Sequence, residues 1–279
     1  LFHDRRTRPL DAPWIESCRQ RRPKHVPAPV DVAPEPPRPV PEPHAIQREP
    51  LEALVRTRAQ GNAAGLVVLA TGLGKTWLSV FETFEFKAKR VLFVAHREEI
   101  LRQALSTFRA IRPEATLGLY TGAEKAPEAD VLFASIQTLG KTEHLRRFSP
   151  RSFDYIIMDE FHHASARTYR RLLDYFEPEF LLGLTATPER TDGGDLLALC
   201  GENLVYRCDL VSGIERELLS PFRYIGVPDD VDYENIPWRS TRFDEEALTN
   251  AVATVKRAQN ALEQHRKHGG ARTIAFCCS

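Results

Sequence analysis

The 279-residue sequence is long enough to bury a large α/β core, and its five scattered cysteines, none with Cys-x-x-Cys spacing, argue against a disulfide framework and a zinc site. Its 38 basic and 38 acidic residues cancel, so no global field attracts a polyanion and any nucleic-acid surface must be local. No apolar run could cross a bilayer and nothing resembles a signal peptide, which together with the cysteine pattern favours a cytoplasmic protein without a membrane partner.

The chain begins with an arm rich in arginine and proline, residues 1–43. Proline at the density found in residues 23–43 blocks helices and sheet ladders, so this part is predicted to be an extended linker. One short helix is predicted before it, in residues 10–21. Because the first residue is Leu1 and not Met, we expect the sequence to be a piece of a longer chain.

Helices and strands are predicted to alternate after the arm. The first helix covers residues 45–58, and helices with apolar residues at helical spacing cover residues 98–108 and 168–176. Short apolar segments are predicted strands: residues 66–70, 91–95, 117–120, 131–134, 155–158 and 181–184. The alternation predicts an α/β fold with a parallel sheet, helices on both faces and ligands at the carboxyl ends of the strands.

A glycine-rich loop follows the first predicted strand. Gly72 and Gly74 let backbone amides curl around a phosphate, Lys75 can reach the β- and γ-phosphates, and Thr76 offers its hydroxyl to Mg²⁺. The next residues recur at helical spacing, so strand, loop and helix N-terminus come in the order that a phosphate requires. The strict pattern has glycine where Leu69 stands. A Gly-Lys-Thr triplet in an ordinary turn is the alternative interpretation.

Two carboxylates follow the predicted strand at residues 155–158. The carboxyl end of a buried parallel strand brings Asp159 and Glu160 to one edge of the sheet. Asp159 is expected to hold Mg²⁺, mostly through water, and Glu160 to orient and deprotonate an attacking water. Alone, such a pair would indicate a solvated loop or a helix N-cap. Together with the phosphate loop it predicts a nucleoside triphosphatase.

In their order, the motifs of this sequence resemble those of the superfamily 2 helicases and translocases. Residues 71–76 are similar to motif I, residues 159–162 to the DExH form of motif II, and residues 184–188 to motif III. Gln47 falls where the adenine-reading glutamine of the Q motif is expected. Further matches are residues 94–97 with motif Ia, residues 135–139 with the next strand-contact motif and residues 273–277 with the opening of motif IV. The resemblance covers about residues 43–279.

The resemblance implies RecA-like domains of the P-loop NTPase class. Residues 44–208 would form the first, ATP-binding domain, and residues 209–279 a linker and the incomplete start of a second, with strands at 218–225 and 273–276 and a helix at 248–265. Motifs V and VI, with the arginine finger of the family, are absent from these residues, so this polypeptide alone is expected to hydrolyse ATP poorly. The arm is weakly similar to a segment behind a phospholipase D-like nuclease module in some bacterial helicase fusions.

The resemblance also implies residues for the nucleotide site, with ATP and Mg²⁺ as its ligands. The implied catalytic residues are Lys75, Asp159 and Glu160. The residues implied to bind ATP are Gln47, Thr71, Gly72, Leu73, Gly74, Lys75 and Thr76. Mg²⁺ would be held by Thr76 and Asp159.

Further residues are implied to couple hydrolysis to the polymer. The coupling residues are His162, Thr185 and Thr187. The threonine hydroxyls are expected to hydrogen-bond the Asp159 and Glu160 carboxylates, or simply to form a turn before Pro188. The residues expected to touch nucleic acid are His96, Arg97, Thr121, Gly122 and Thr138. Two basic clusters are further candidates, although each could be a solvated face: Lys141, Arg146, Arg147 and Arg151, and Arg167, Arg170 and Arg171.

The predicted function is that of an ATP-dependent DNA helicase or translocase in repair, restriction or defence. Its partners would be nucleic acid, with DNA favoured as single strand or duplex, the rest of a longer chain and other repair or defence subunits. An RNA helicase stays open, because contacts with backbone phosphates do not report the sugar. A nucleotide-dependent switch or scaffold without motor activity is the third interpretation.

Overall fold

A computed structural model of the protein describes residues 41–164, 166–187, 196–228, 231–239, 242–270 and 272–276. The short helix predicted in the arm lies outside the described residues, as does most of the proline-rich linker. The chain divides into two units, Leu1–Leu219 and Ser220–Ser279. The first unit continues past residue 208 because Leu218 and Leu219 pack against its core.

The first unit is built around a seven-stranded sheet in which neighbouring strands are parallel. The strands are β1 (Ala64–Leu69), β2 (Val91–Ala95), β3 (Leu117–Tyr120), β4 (Val131–Ser135), β5 (Tyr155–Met158), β6 (Phe180–Thr185) and β7 (Leu204–Cys208). Their order is β3-β4-β2-β5-β6-β1-β7, so only β6 separates β1 from β5. The predicted parallel sheet is confirmed, and it brings the segments after β1 and β5 to the same edge.

Strand β7 is the one element of this sheet that the sequence analysis does not predict. It pairs with β1 alone, and of its residues only Cys208 is buried. An edge strand has a neighbour on one side only and its side chains are partly exposed, so it needs no continuous apolar run. Without such a run, the sequence lacks the pattern by which the other strands are recognised.

Helices cover both faces of the sheet, as predicted. They are α1 (Ala45–Ala59), α2 (Lys75–Glu85), α3 (Glu98–Ile111), α4 (Ile136–Leu139), α5 (Thr142–Leu145), α6 (Arg167–Tyr175) and α7 (Leu210–Glu215). The side chains of β2 alternate between the faces: Val91 and Phe93 pack in a core cluster with α1 to α3, whereas Leu92 and Val94 pack in a second cluster with α4 to α6.

The second unit has two helices, α8 (Glu245–Val252) and α9 (Val255–His268), and an antiparallel pair, β8 (Trp238–Arg239) and β9 (Arg242–Phe243). The single helix predicted over residues 248–265 is wrong. The chain breaks after α8, and the Thr254 side chain accepts a hydrogen bond of 3.2 Å from the backbone N–H of Arg257, which starts α9.

The strands predicted at residues 218–225 and 273–276 are also not formed within the described part of the chain. A strand requires a partner for its backbone groups, and no described segment pairs with either of them. Their large side chains are exposed, with Tyr224 at 85% and Phe276 at 94%. Across the described ranges, no helix is both long and apolar enough to cross a membrane.

Candidate active site

The glycine-rich loop connects β1 to α2 and shapes a cradle for an anion. Gly72 and Gly74 have φ values of +94° and +82°, a region that glycine adopts without steric cost. A Cβ atom on Gly74 would lie 2.5 Å from the Gln47 side-chain nitrogen, so the loop is also closely packed there. Helix α2 begins at Lys75, which places the positive end of its dipole at the loop.

Lys75 is half-buried in this cradle. Its Nζ donates a hydrogen bond of 3.1 Å to the backbone carbonyl of Leu69, the last residue of β1. Burial lowers the pKa of Lys75, and the negative charges of Asp159 and Glu160 partly offset that effect. A polyanion in the cradle would stabilise this cation further.

The two carboxylates lie where β5 ends. Asp159 is 7% exposed, and its Oδ1 accepts a hydrogen bond of 3.0 Å from the backbone N–H of Glu160. Burial raises the pKa of Asp159, while that backbone N–H and the charge of Lys75 act in the opposite direction. Glu160 has φ +52°, an uncommon conformation for a residue other than glycine, and it turns the chain sharply out of the strand.

The Glu160 carboxylate contacts a histidine from the neighbouring strand end. Its Oε2 lies 2.6 Å from His96 Nδ1, without the alignment of a hydrogen bond. His96 follows β2, so the contact links the carboxylate to the segment that carries Arg97.

The donor set fits Mg²⁺ bound together with a triphosphate. Within the described ranges, no group of three or more His, Cys, Asp or Glu side chains could by itself hold a metal ion. Mg²⁺ usually takes one or two carboxylates, with phosphates and water supplying its other ligands. Asp159 and Thr76, at the ends of β5 and of the glycine-rich loop, match that need. Their predicted role as Mg²⁺ ligands stays a prediction.

Gln47 lies on α1 directly against the glycine-rich loop and is 7% exposed. Its Oε1 accepts a hydrogen bond of 2.8 Å from the backbone N–H of His44, and its Nε2 donates a long one of 3.5 Å to the carbonyl of Gly74. The side chain therefore supports the loop. Its predicted role in reading adenine is not tested by these contacts.

The coupling residues form a small network, but not the one expected. The Thr185 hydroxyl, fully buried, donates a hydrogen bond of 3.0 Å to the backbone carbonyl of Thr187 and lies 3.3 Å from His162 Nδ1. Among the described residues, the Thr185 hydroxyl does not form the expected hydrogen bonds to the Asp159 and Glu160 carboxylates. It bonds instead to the backbone of Thr187 within the same turn. The network still joins the segment after Glu160 to the end of β6.

The predicted nucleic-acid residues differ in exposure. Arg97 and Gly122 are exposed, and Arg97 Nε lies 3.1 Å from His96 Nε2. Thr121 and Thr138 are buried, and their hydroxyls accept hydrogen bonds from groups within their own turns. Contact with a polymer at these two positions would therefore come from the backbone.

A groove of about 710 Å³ lies between α5 and α6. Residues that line it include Arg146, Arg167, Arg170, Arg171 and a single acid, Asp174. The groove therefore carries a local excess of positive charge on a chain with zero net charge. Both predicted basic clusters contribute to it.

The sequence analysis misses one polar residue near the carboxylates, Tyr169. It is 4% exposed, and its hydroxyl makes no hydrogen bond to the described residues. Burial and the charges of Glu160 and Asp159 raise its pKa. Only the helical spacing of Tyr169 is visible in the sequence, and that spacing predicts a core residue.

The fold and this site define a P-loop nucleoside triphosphatase of the superfamily 2 helicase type, with a RecA-like sheet. Residues 41–190 match the family described as "Type III restriction enzyme, res subunit". The chain belongs to this family.

Curated relatives agree with the assignment. The chain is 30% identical over 246 residues to "Putative mitochondrial ATP-dependent helicase irc3" of Schizosaccharomyces pombe, a match that covers 83% of this chain and 40% of the relative. It is 31% identical over 212 residues to "Type I restriction enzyme EcoAI endonuclease subunit" of Escherichia coli, covering 72% and 26%. The chain thus spans 40% or less of the length of these relatives.

Among solved structures, a nuclease-deletion mutant of the Type ISP restriction-modification enzyme LlaGI, in complex with a DNA substrate mimic, has a similar fold. The TM-score is 0.51 at 17% sequence identity, over 64% of this chain and 21% of that one. At this identity the similarity concerns the fold alone.

Proposed function

We propose that the protein is an ATP-dependent motor that hydrolyses ATP between Lys75 and Glu160 and uses the reaction to move along, or unwind, DNA. The observation that carries the proposal is the convergence of Lys75 and the two carboxylates at one sheet edge, where the carboxylate charges act to raise the pKa of Lys75 and the charge of Lys75 acts to lower the pKa of Asp159. Membership of the family and the names of the relatives support the motor function and DNA as the polymer.

Each residue of the site has a chemical task in this proposal. The loop amides and the N-terminus of α2 bind phosphate oxygens, and Lys75 balances their charge. Glu160 orients a water molecule and accepts its proton as the water attacks. Mg²⁺, held by Thr76 and Asp159, would draw negative charge from the phosphoryl group that is transferred. His162, Thr185 and Thr187 would couple changes at the nucleotide site to the surface that binds nucleic acid.

Nucleic acid would bind along the same edge of the sheet and over the arginine groove. Arg97 and Gly122 are exposed after β2 and β3, and the ring of His96 lies beside Arg97. Thr138, on α4, comes just before α5, whose residues begin the groove. Arginine side chains bind backbone phosphates without reading sequence, which suits a protein that moves along a polymer.

The proposal extends to organisation and partners. Residues 44–208 would act as the ATP-binding RecA-like domain and residues 209–279 as a linker and the start of a second one. The rest of a longer chain would supply the remaining motor motifs, and repair or defence subunits are further candidate partners. The described cysteines, Cys200 and Cys208, are buried and free, which supports a reducing compartment such as the cytoplasm.

The test is ATP hydrolysis by the full-length protein with single-stranded DNA, duplex DNA or RNA added. We expect DNA to stimulate turnover at least about 10-fold, because a motor gains rate from its track. Stronger stimulation by RNA than by DNA would indicate that the protein moves along RNA and not DNA. Tight ATP binding with no response to any of the three polymers would contradict the motor function and favour a nucleotide-dependent switch.

A further inference from the structure

Tyr169 belongs to the same core cluster as the residues that flank the two carboxylates. It is the third residue of α6 and is almost fully buried. Its core cluster also contains Met158 and Phe161, the residues that directly flank the Asp159–Glu160 pair, and Ala164 just beyond. The charges of Glu160 and Asp159 both act on its hydroxyl, so the phenol lies near the turn that carries Glu160.

The hydroxyl of Tyr169 differs from those of three other tyrosines in or against the core clusters. Tyr155 donates a hydrogen bond of 3.0 Å to Glu82, and Tyr175 donates one of 2.6 Å to the carbonyl of Phe148. Tyr120 lies 2.9 Å from His144 Nδ1. Within the described residues, the Tyr169 hydroxyl is buried and has no such partner. A buried polar group without a hydrogen-bond partner is energetically unfavourable. This cost points to a second conformational state in which the hydroxyl is hydrogen-bonded.

The chemistry around this hydroxyl indicates what its partner would be. Burial, Glu160 and Asp159 all raise the pKa of Tyr169, so the phenol keeps its proton and is a hydrogen-bond donor. The Oδ1 atom of Asp159 already accepts the backbone N–H of Glu160. The Oε2 atom of Glu160 contacts His96 without hydrogen-bond alignment. The Oε2 atom of Glu160 can therefore accept a hydrogen bond that no described group donates in this conformation.

We propose that Tyr169 is a positioning residue for Glu160: when nucleotide occupies the site, the Tyr169 O–H donates to the Glu160 carboxylate and fixes its direction toward the attacking water. This inference rests on the proposed role of Glu160 as the base. The contact of Glu160 with His96 lacks hydrogen-bond alignment, and a rigid donor from the core would fix the direction of the carboxylate.

Tyr169→Phe in the full-length protein tests the proposal, since it removes the hydroxyl and keeps the ring. We expect kcat for ATP hydrolysis to fall by about 10- to 100-fold, the range for removal of a hydrogen bond to a charged group. KM for ATP, nucleotide affinity and Tm should stay near their original values. A hydroxyl with only a packing role predicts an unchanged kcat, so kcat is the measurement that separates the two roles.

The matched control is Tyr155→Phe, because Tyr155 is buried in the core and lies outside the proposed site. Its hydroxyl is paired with Glu82, so its removal should lower Tm and leave kcat unchanged. A double variant, Tyr169→Phe with Glu160→Gln, should be no slower than Glu160→Gln alone, because Tyr169 acts through that carboxylate.

The outcomes separate this inference from the proposed function. If Glu160→Gln abolishes hydrolysis while Tyr169→Phe leaves kcat unchanged, the role of Tyr169 is refuted and the motor proposal stands. Independent, multiplying decreases in the double variant would also refute it. If Glu160→Gln hydrolyses ATP normally, the proposed function itself fails.

Discussion

His96 Nδ1 lies 2.6 Å from Glu160 Oε2, so the strand end expected to touch nucleic acid contacts the carboxylate expected to act as the base. The other ring nitrogen of His96 lies 3.1 Å from Nε of the exposed Arg97. A polymer phosphate that draws Arg97 away from the ring would therefore also disturb the contact with Glu160. If Arg97 binds nucleic acid and Glu160 is the base, as proposed, His96 connects the two.

The first prediction concerns His96→Ala. It should lower DNA-stimulated hydrolysis by about 3- to 10-fold, the effect of removing one polar interaction, and change the unstimulated rate much less. The measurement is the ratio of the two rates. His144→Ala is the control, because that ring contacts Tyr120 and not the site. Equal decreases with and without DNA would contradict the connection.

The second prediction concerns the glycine-rich loop. Gly74→Ala should reduce ATP affinity at least about 10-fold, because φ +82° strains alanine and the new methyl group meets the Gln47 amide. Gly61→Ala is a matched control with φ +87° and open space around it. That variant should lose about 1 kcal/mol of stability and bind ATP normally. Equal ATP affinities for the two variants would refute the prediction.

The third prediction concerns Glu82, whose side chain is fully buried against Arg58 and Tyr155. Burial raises the pKa of Glu82 to about 7, and Arg58 and Tyr155 oppose that effect. The folded protein therefore holds a proton that the unfolded chain releases above its value of 4.5. Stability should fall as pH rises from about 4.5 to about 7, by up to about 3 kcal/mol.

Urea unfolding of the protein and of Glu82→Gln across this pH range measures the effect. The substitution should flatten the decline, because glutamine cannot titrate. Glu85→Gln, exposed on the same helix, should keep it. A wild-type slope in Glu82→Gln would rule out Glu82 as the titrating group.

The fourth prediction concerns the arginine groove. The double variant Arg146→Glu/Arg167→Glu should bind single-stranded DNA more weakly, and its salt slope should be smaller by about 0.7 for each phosphate that the protein no longer neutralises. ATP affinity without DNA should not change. Arg109→Glu, on the exposed side of α3, controls for added negative charge. An unchanged salt slope would show that the groove does not bind the polymer.

Much of the fold follows from local patterns that tertiary contacts reinforce. The apolar runs of β2 and β5 are buried on both faces and are recognised as strands from sequence, and the glycines before Lys75 mark the phosphate loop. Strand β7 escapes because its position at the edge leaves it half-exposed. The predicted strands at residues 218–225 and 273–276 fail because apolar character does not supply a pairing partner.

The limits of sequence analysis at the site have a similar physical origin. Residue types and spacing place Lys75, Asp159 and Glu160 at one edge, because parallel strands share that edge. They do not predict the direction of a hydroxyl group or its burial. The Thr185 hydroxyl therefore donates to the carbonyl of Thr187 and not to the carboxylates as expected, and Thr138 is buried although an exposed contact was expected. Tyr169 has the spacing of a core residue and carries a polar group that only the packing reveals.

The most direct measurement is the ATPase rate of full-length Glu160→Gln with DNA, together with its affinity for Mg²⁺–ATP by calorimetry. The predicted result is hydrolysis reduced by about 100-fold or more with ATP affinity retained, whereas Lys75→Ala loses both. Wild-type turnover in Glu160→Gln, or a protein indifferent to ATP and Mg²⁺, would contradict a motor driven from this pocket.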